Sequence, residues 1–228
     1  YEERFAVPVI CPSESVENPL GKVLSGGGKN QLRLAETYKY AHVTSFFNGY
    51  REAPFINEYR TVIPSMPTAH IEERPEMMAG PITDRLIDAV QGHGFDFILV
   101  NYSNPDTVAH SANYDAGLRT VEIMDKEIGR LLDVAINPET VLIITSDHGN
   151  IEEMINPMTA HTESQHDANP VPLYLIAPEF KGRKFANWRN PSGETMGSRS
   201  DVAPTILEIM GIQTTPEMTG RSLLEGLF

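Results

Sequence analysis

The sequence predicts an α/β fold, a mostly parallel sheet covered by helices on both faces. Short apolar runs rich in β-branched residues alternate with longer segments whose apolar residues recur at helical spacing. Segments rich in Asp and His fall at the ends of those runs or in the loops beyond, where open α/β sheets build their sites. The 228 residues, 40% hydrophobic, suffice to bury a substantial core as one large domain or two small ones.

Taken in order, residues 5–11 read as a short strand, followed by a turn-rich stretch with Pro12, Pro19 and Gly26-Gly27-Gly28. Residues 31–40 read as a helix and 43–47 as a strand. A Pro-rich passage runs through Pro54, Pro64, Pro67 and Pro75. Residues 82–91 suit an amphipathic helix with Leu86, Ile87 and Val90 inward, and 95–102 form an apolar strand. Over 116–134, Leu118, Val121, Met124, Ile128, Leu131 and Leu132 make a helical stripe that reads as core. The β-branched run 140–145 is a buried strand, 150–155 an acidic helix and 171–177 another strand. A helix closes the chain over 201–210, with Ser200 or Asp201 as N-cap, Pro204 in its first turn and Gly211 at its end.

Composition excludes several functions. The net charge of −13 and a pI near 4.9 argue against a nucleic-acid backbone as partner. An acidic protein can still act on a phosphorylated metabolite if metal ions supply the local positive charge. No apolar stretch approaches a membrane span, and no signal peptide opens the chain. Cys11 is the single cysteine, which rules out an internal disulfide framework and fits a reducing, cytoplasmic location. The opening Tyr-Glu-Glu-Arg reads as a mid-chain start, so a piece of a longer protein is expected.

Three segments carry the chemistry: Asn-Pro-Asp106-Thr-Val-Ala-His110, Thr-Ser-Asp147-His148-Gly-Asn and His161-Thr-Glu-Ser-Gln-His166. Asp with His suits a divalent ion such as Zn²⁺ or Mn²⁺. Alone, Asp106 and His110 are four residues apart and equally suit a hydrogen-bonded pair on one helical turn. Asp147 and His148, followed by a permissive Gly just past a buried strand, suggest a site, the alternative being a satisfied pair at a sheet edge. Together the three segments favour metal. The set exceeds one tetrahedral centre once water and substrate are added, which points to a dinuclear site working on phosphate. Gly26-Gly27-Gly28-Lys29 lacks the spacing and the following Ser/Thr of a phosphate loop and reads as a flexible turn.

Several motifs resemble cofactor-independent phosphoglycerate mutase, within the alkaline-phosphatase superfamily. They are NYSNPDTVAHSANYDA (101–116), the segment 146–150, Asn169-Pro-Val-Pro172, the segment 35–44, Phe47-Asn-Gly49, the segment 201–207 and Glu217-Met-Thr-Gly220. The resemblance runs almost the whole chain but covers only the C-terminal half of a family member. It implies an alkaline-phosphatase-like fold, with residues 1–228 a single domain, the C-terminal portion of a metal-dependent phosphatase-type domain. It implies a cytoplasmic isomerase of glycolysis and gluconeogenesis that interconverts 3-phosphoglycerate and 2-phosphoglycerate through a phosphoserine. Two divalent ions would serve it, Mn²⁺ in the first place, with Zn²⁺ or Co²⁺ as alternatives. Carried over by motif, Asp106, His110 and His161 hold one metal, and Asp147 and His148 help hold the second. Lys39 contacts the substrate phosphate, or else is a solvated lysine at a helix end.

The chain also departs from that pattern. The family's nucleophilic serine, its first-strand aspartate ligand and its inserted mutase domain have no match here, so the chain alone is expected to be inactive. The absent N-terminal segment of the same protein is then its partner, and its loss should leave an unpaired sheet edge. Extra residues separate Thr159-Ala160-His161-Thr162 from Asn169. The neighbours of His161 favour it as the ligand, whereas the distance to Asn169 favours His166. His42 lies in a family motif and could pack near the site. Two other readings stay open: a non-catalytic metal-binding or interaction fragment, and another phosphohydrolase of the same superfamily.

Overall fold

A computed structural model describes residues 16–156, 158–183 and 195–227. The expected strand over 5–11 lies outside them. The chain runs α1 (Leu20–Gly26), β1 (Gln31–Glu36), α2 (Tyr40–Val43), β2 (Glu58–Ile63), α3 (Ala79–Gln91) and β3 (Phe97–Val100). It continues with α4 (Asn104–Ala109), α5 (Tyr114–Ala135), β4 (Leu142–Thr145), β5 (Leu173–Ile176) and α6 (Val202–Ile209). Strands β2, β1 and β3 form a parallel sheet in that order, and β4 pairs with β5 antiparallel. Among the described residues no helix is long and apolar enough to cross a membrane.

Helices cover both faces of the three-stranded sheet, as the alternation predicted. The register pairs Gln31 with Phe97 and Leu34 with Val100, so alternate residues of β1 and β3 share a face. Leu34, Ile98 and Val100 meet Ile82 and Leu86 of α3 and Leu131 of α5 on one side. On the other, Phe97 packs with Leu20 and Leu24 of α1 and Leu207 of α6. Each such buried side chain contributes about 1.5–3 kcal/mol.

The helix expected over 31–40 is instead β1, a 3-10 turn (Thr37–Lys39) and α2. Gln-Leu-Arg-Leu-Ala-Glu suits a helix by local propensity, but as the central strand it is buried at all six positions, and tertiary context prevails. Its polar residues are accommodated pairwise. Arg33 donates to Gln31 Oε1 at 2.6 Å and lies over the rings of Phe47 and Phe97. Glu58 of β2 accepts from Asn48, the Phe55 amide and Arg60. Burial pulls the Arg33 guanidinium down to about 10, partly offset by Glu58, which leaves it charged at neutral pH.

Other expectations also change. The strand foreseen over 43–47 is a series of turns, in which Thr44 Oγ1 bonds the Tyr40 carbonyl and Gly49 adopts φ +65°. Helix α1 begins after Pro19 inside the stretch read as turns, and β2 fits between Pro54 and Pro64. The acidic helix over 150–155 shrinks to one 3-10 turn, Ile151–Glu153. The capping box near α6 belongs to Ser198 and Asp201 on the preceding 3-10 turn. Leu118 and Val121 of α5 are 51% and 52% exposed and only Leu131 of the expected stripe is fully buried, whereas the N-terminal half of the helix buries the small residues Ala116, Gly117 and Thr120.

Candidate metal centre

Strands β1 and β3 are parallel neighbours, so their carboxyl ends deliver chain to the same edge. Beyond β1, the 3-10 turn ends at Lys39. Beyond β3, α4 starts at Asn104 and carries Asp106 in its first turn, where a carboxylate complements the exposed backbone N–H groups. Asn104 is buried and ties that helix to the carbonyls of Pro75 and Glu76. His110 follows one turn after Asp106. From the other strand pair, β4 leads to Asp147 and His148, and His166 lies in the loop before β5.

Imidazoles converge on a single carboxylate oxygen. His166 Nε2 lies 3.0 Å, His110 Nε2 3.1 Å and His148 Nε2 3.9 Å from Asp106 Oδ1. The Asn150 amide donates to the same oxygen at 3.2 Å, and Lys39 Nζ ion-pairs with Oδ2. Ligand atoms of Asp106, His148 and His166 all lie within 4.8 Å of one another. His110 Nε2 and His166 Nε2 are 3.3 Å apart, and the His148 and His166 rings stack at 3.6 Å.

Hydrogen bonds on the far side of the rings set their tautomers. His110 Nδ1 is 2.7 Å from the Ser164 carbonyl, which can only accept, so Nδ1 donates there and Nε2 is the nitrogen whose inward lone pair an ion would take. His148 Nδ1 faces the Gly149 carbonyl at 3.3 Å in the same sense. Two inward lone pairs with a carboxylate are the donor set that a divalent ion needs, and the residues fit one. Burial pushes the Asp106 carboxyl up, but Lys39, Asn150 and His110 outweigh it and hold it at about 2. The nearby His42 imidazole is pushed below its usual value by burial and by Lys39, with opposing pulls from Asp147 and Asp106.

Asp106, His110, His148 and Lys39 thus meet at one place, as expected, with Asp147 at its margin. Asp147 Oδ1 is 3.6 Å from His148 Nε2, its side chain is 60% exposed, and its carbonyl accepts from Arg199. The expectation for His161 changes. His166 occupies the place beside Asp106, while His161 is exposed in a reverse turn, where its carbonyl accepts from the Asn156 amide and Ile155 bridges Thr162. Thr159, Ala160 and His161, which match the family's left-hand context, are held by Asn156, whose side chain accepts from the Thr159 amide and whose backbone bonds Ala160 and His161. Counted back from the Asn169-Pro-Val-Pro172 segment before β5, His166 is the histidine that lies beside Asp106.

The clamp that brings the two loops together was not read from the sequence. Asp167 N bonds the Gly149 carbonyl at 3.0 Å, and that bridge sets His148 against His166. A Cβ at 149 would overlap the carboxylates of Asp167 and Glu152. Gly149→Ala is therefore expected to push those carboxylates aside, including the one that accepts from the Asn150 amide, and weaken divalent-ion binding by roughly 10-fold, as loss of a supporting contact does. Calorimetry would show this, and unchanged affinity would remove the clamp from the account. Asn150 stood in a quoted motif without a role. Its signal was its place in the same tetrapeptide as Asp147 and His148.

The metalloenzyme superfamily model matches residues 10–214. The 2,3-bisphosphoglycerate-independent phosphoglycerate mutase of Thermomicrobium roseum is 43% identical over 98% of this chain and 42% of its own length. That of Clostridioides difficile is 42% identical over 96% of this chain and 41% of its own. The chain therefore spans about two fifths of these relatives. A phosphoglycerate mutase of Leishmania mexicana, crystallised at low cobalt concentration, shares the fold with a TM-score of 0.75 at 24% identity, covering 89% of this chain and 38% of that one. With the donor set around Asp106 and a family match over most of its length, the chain belongs to the metalloenzyme superfamily.

Proposed function

We propose that this chain is the C-terminal part of a phosphoglycerate mutase and supplies most of its two-metal site. The carrying observation is the convergence of three imidazole Nε2 atoms on Asp106 Oδ1. In this reading Asp106, His110 and His166 hold one ion, and Asp147 and His148 contribute to the second. Mn²⁺ is the first choice and Co²⁺ or Zn²⁺ the alternatives. Such ions stabilise the attacking and leaving oxygens of an in-line phosphoryl displacement. Lys39 orients the phosphate of 3-phosphoglycerate or 2-phosphoglycerate, and Asn150 holds Asp106 in register. A solvent-open cleft of about 380 Å³, lined in part by Glu72, Thr107 and Asn113, borders His110. The serine that takes the phosphoryl group would come from an N-terminal segment of the same cytoplasmic protein.

A Mn²⁺ titration by calorimetry tests the ligand set. One specific site should be lost in His110→Ala and His166→Ala and kept in His161→Ala. Loss with His161→Ala and retention with His166→Ala would reject the assignment. Supplying the N-terminal segment should then produce mutase turnover. Net phosphate release would point to a phosphohydrolase, and no turnover to a metal-binding fragment.

A further inference from the structure

The Asp106 carboxylate already holds a cation. Lys39 Nζ ion-pairs with Oδ2 while Oδ1 faces the imidazoles, so both oxygens are engaged. The two side chains are only 13% and 17% exposed, and Asp106 is the single ion-pair partner of Lys39 among the described residues. With its charge compensated by a largely buried carboxylate, Lys39 offers no free positive charge to a phosphate. A divalent ion seated on Asp106 would put two further positive charges within a carboxylate's width of that ammonium, in a partly desolvated site where repulsion is strong. Lys39 can yield, because its ammonium sits on a flexible four-carbon stem rooted at the end of a 3-10 turn.

We propose that Lys39 is the resident counter-ion of the metal-free centre, and that a divalent ion entering at Asp106 displaces it and frees it for an anionic oxygen of the substrate. The inference rests on the metal-centre reading above and adds an order to it: ion first, phosphate second. The ion-free site is then closed to phosphate by its own carboxylate. Lys39 serves two anions in turn, one of the protein and one of the substrate.

The test is lysine acylation by acetic anhydride, read by mass spectrometry on the chain with chelator and with saturating Mn²⁺. Lys39 should be protected without the ion and react about tenfold faster with it, since an amine held against a largely buried carboxylate is shielded from the reagent and a freed one is not. Lys22 and Lys29, remote from the centre, should not change. Lys39→Met should also bind Mn²⁺ about tenfold more tightly by calorimetry, because no cation has to be expelled. Mn²⁺ binding without a change in Lys39 reactivity would overturn the exchange and leave the metal centre standing. Failure to bind Mn²⁺ at all would overturn both.

Discussion

Asp106→Ala is expected to weaken divalent-ion binding by about 100-fold or more, the largest effect on function of any single substitution here. Every element of the centre meets at this carboxylate: three imidazoles and an amide on one oxygen, an ammonium on the other. Truncation leaves neutral imidazoles, which bind a hard ion poorly without an anion. It also leaves the Lys39 ammonium largely buried and unpaired, so the variant should melt at a lower temperature than its parent in the presence of chelator. Adding Lys39→Met should recover part of that loss, a coupling that a double-mutant cycle measures directly. If Asp106→Ala bound Mn²⁺ within about threefold of the parent, the carboxylate would not be a ligand.

The second large effect is on stability. Glu58→Ala should cost about 3–5 kcal/mol, because it leaves Arg60, and Arg33 close by, without their anion beneath the sheet. Burial would raise the Glu58 carboxyl, but the Phe55 amide, Asn48 and Arg60 together bring it below the usual glutamate value. A carboxyl depressed in the folded state stabilises fully above its unfolded value, about 4.3, and loses that contribution as pH falls through the folded value. Denaturant melts should therefore show the parent losing stability below about pH 4.3 more steeply than Glu58→Gln does. Parallel pH profiles would show that Glu58 is not the titrating group.

The sequence pattern disclosed the parts of the fold in which local and global preferences agree. Residues 82–91, 95–102 and 140–145 lie where expected, because amphipathic spacing and β-branched runs are reinforced by the packing around Leu34. Residues 31–36 were misread because a central parallel strand is specified by its neighbours, and Gln, Arg and Glu there hide its apolar character. The antiparallel pairing of β4 with β5 leaves no local signature either, since strand direction depends on where the intervening 27 residues travel. At the site, Asp106, His110 and His148 were legible because donors of the right chemistry stood beside strand ends. His166 was harder: its rank against His161 depends on the bonds between Asn156 and His161 and on the Gly149–Asp167 bridge, both of them contacts that local sequence does not show.

Among the described residues, no backbone ladder joins the β4–β5 pair to the three-stranded sheet. Leu142 reaches the core under α3 and α5, the Ile151–Glu153 turn packs on α4, Met154 lies against Gly117 of α5, and the donor cluster spans the same seam, with Lys39 and Asp106 on one bank and His148 and His166 on the other. An ion bound there would tie the two sub-assemblies together like a rivet. At a hundredfold excess over its dissociation constant it would add about 2.7 kcal/mol to the folded state. Much of that gain would fall on the seam, so the same event that arms the site would also tighten the molecule around it.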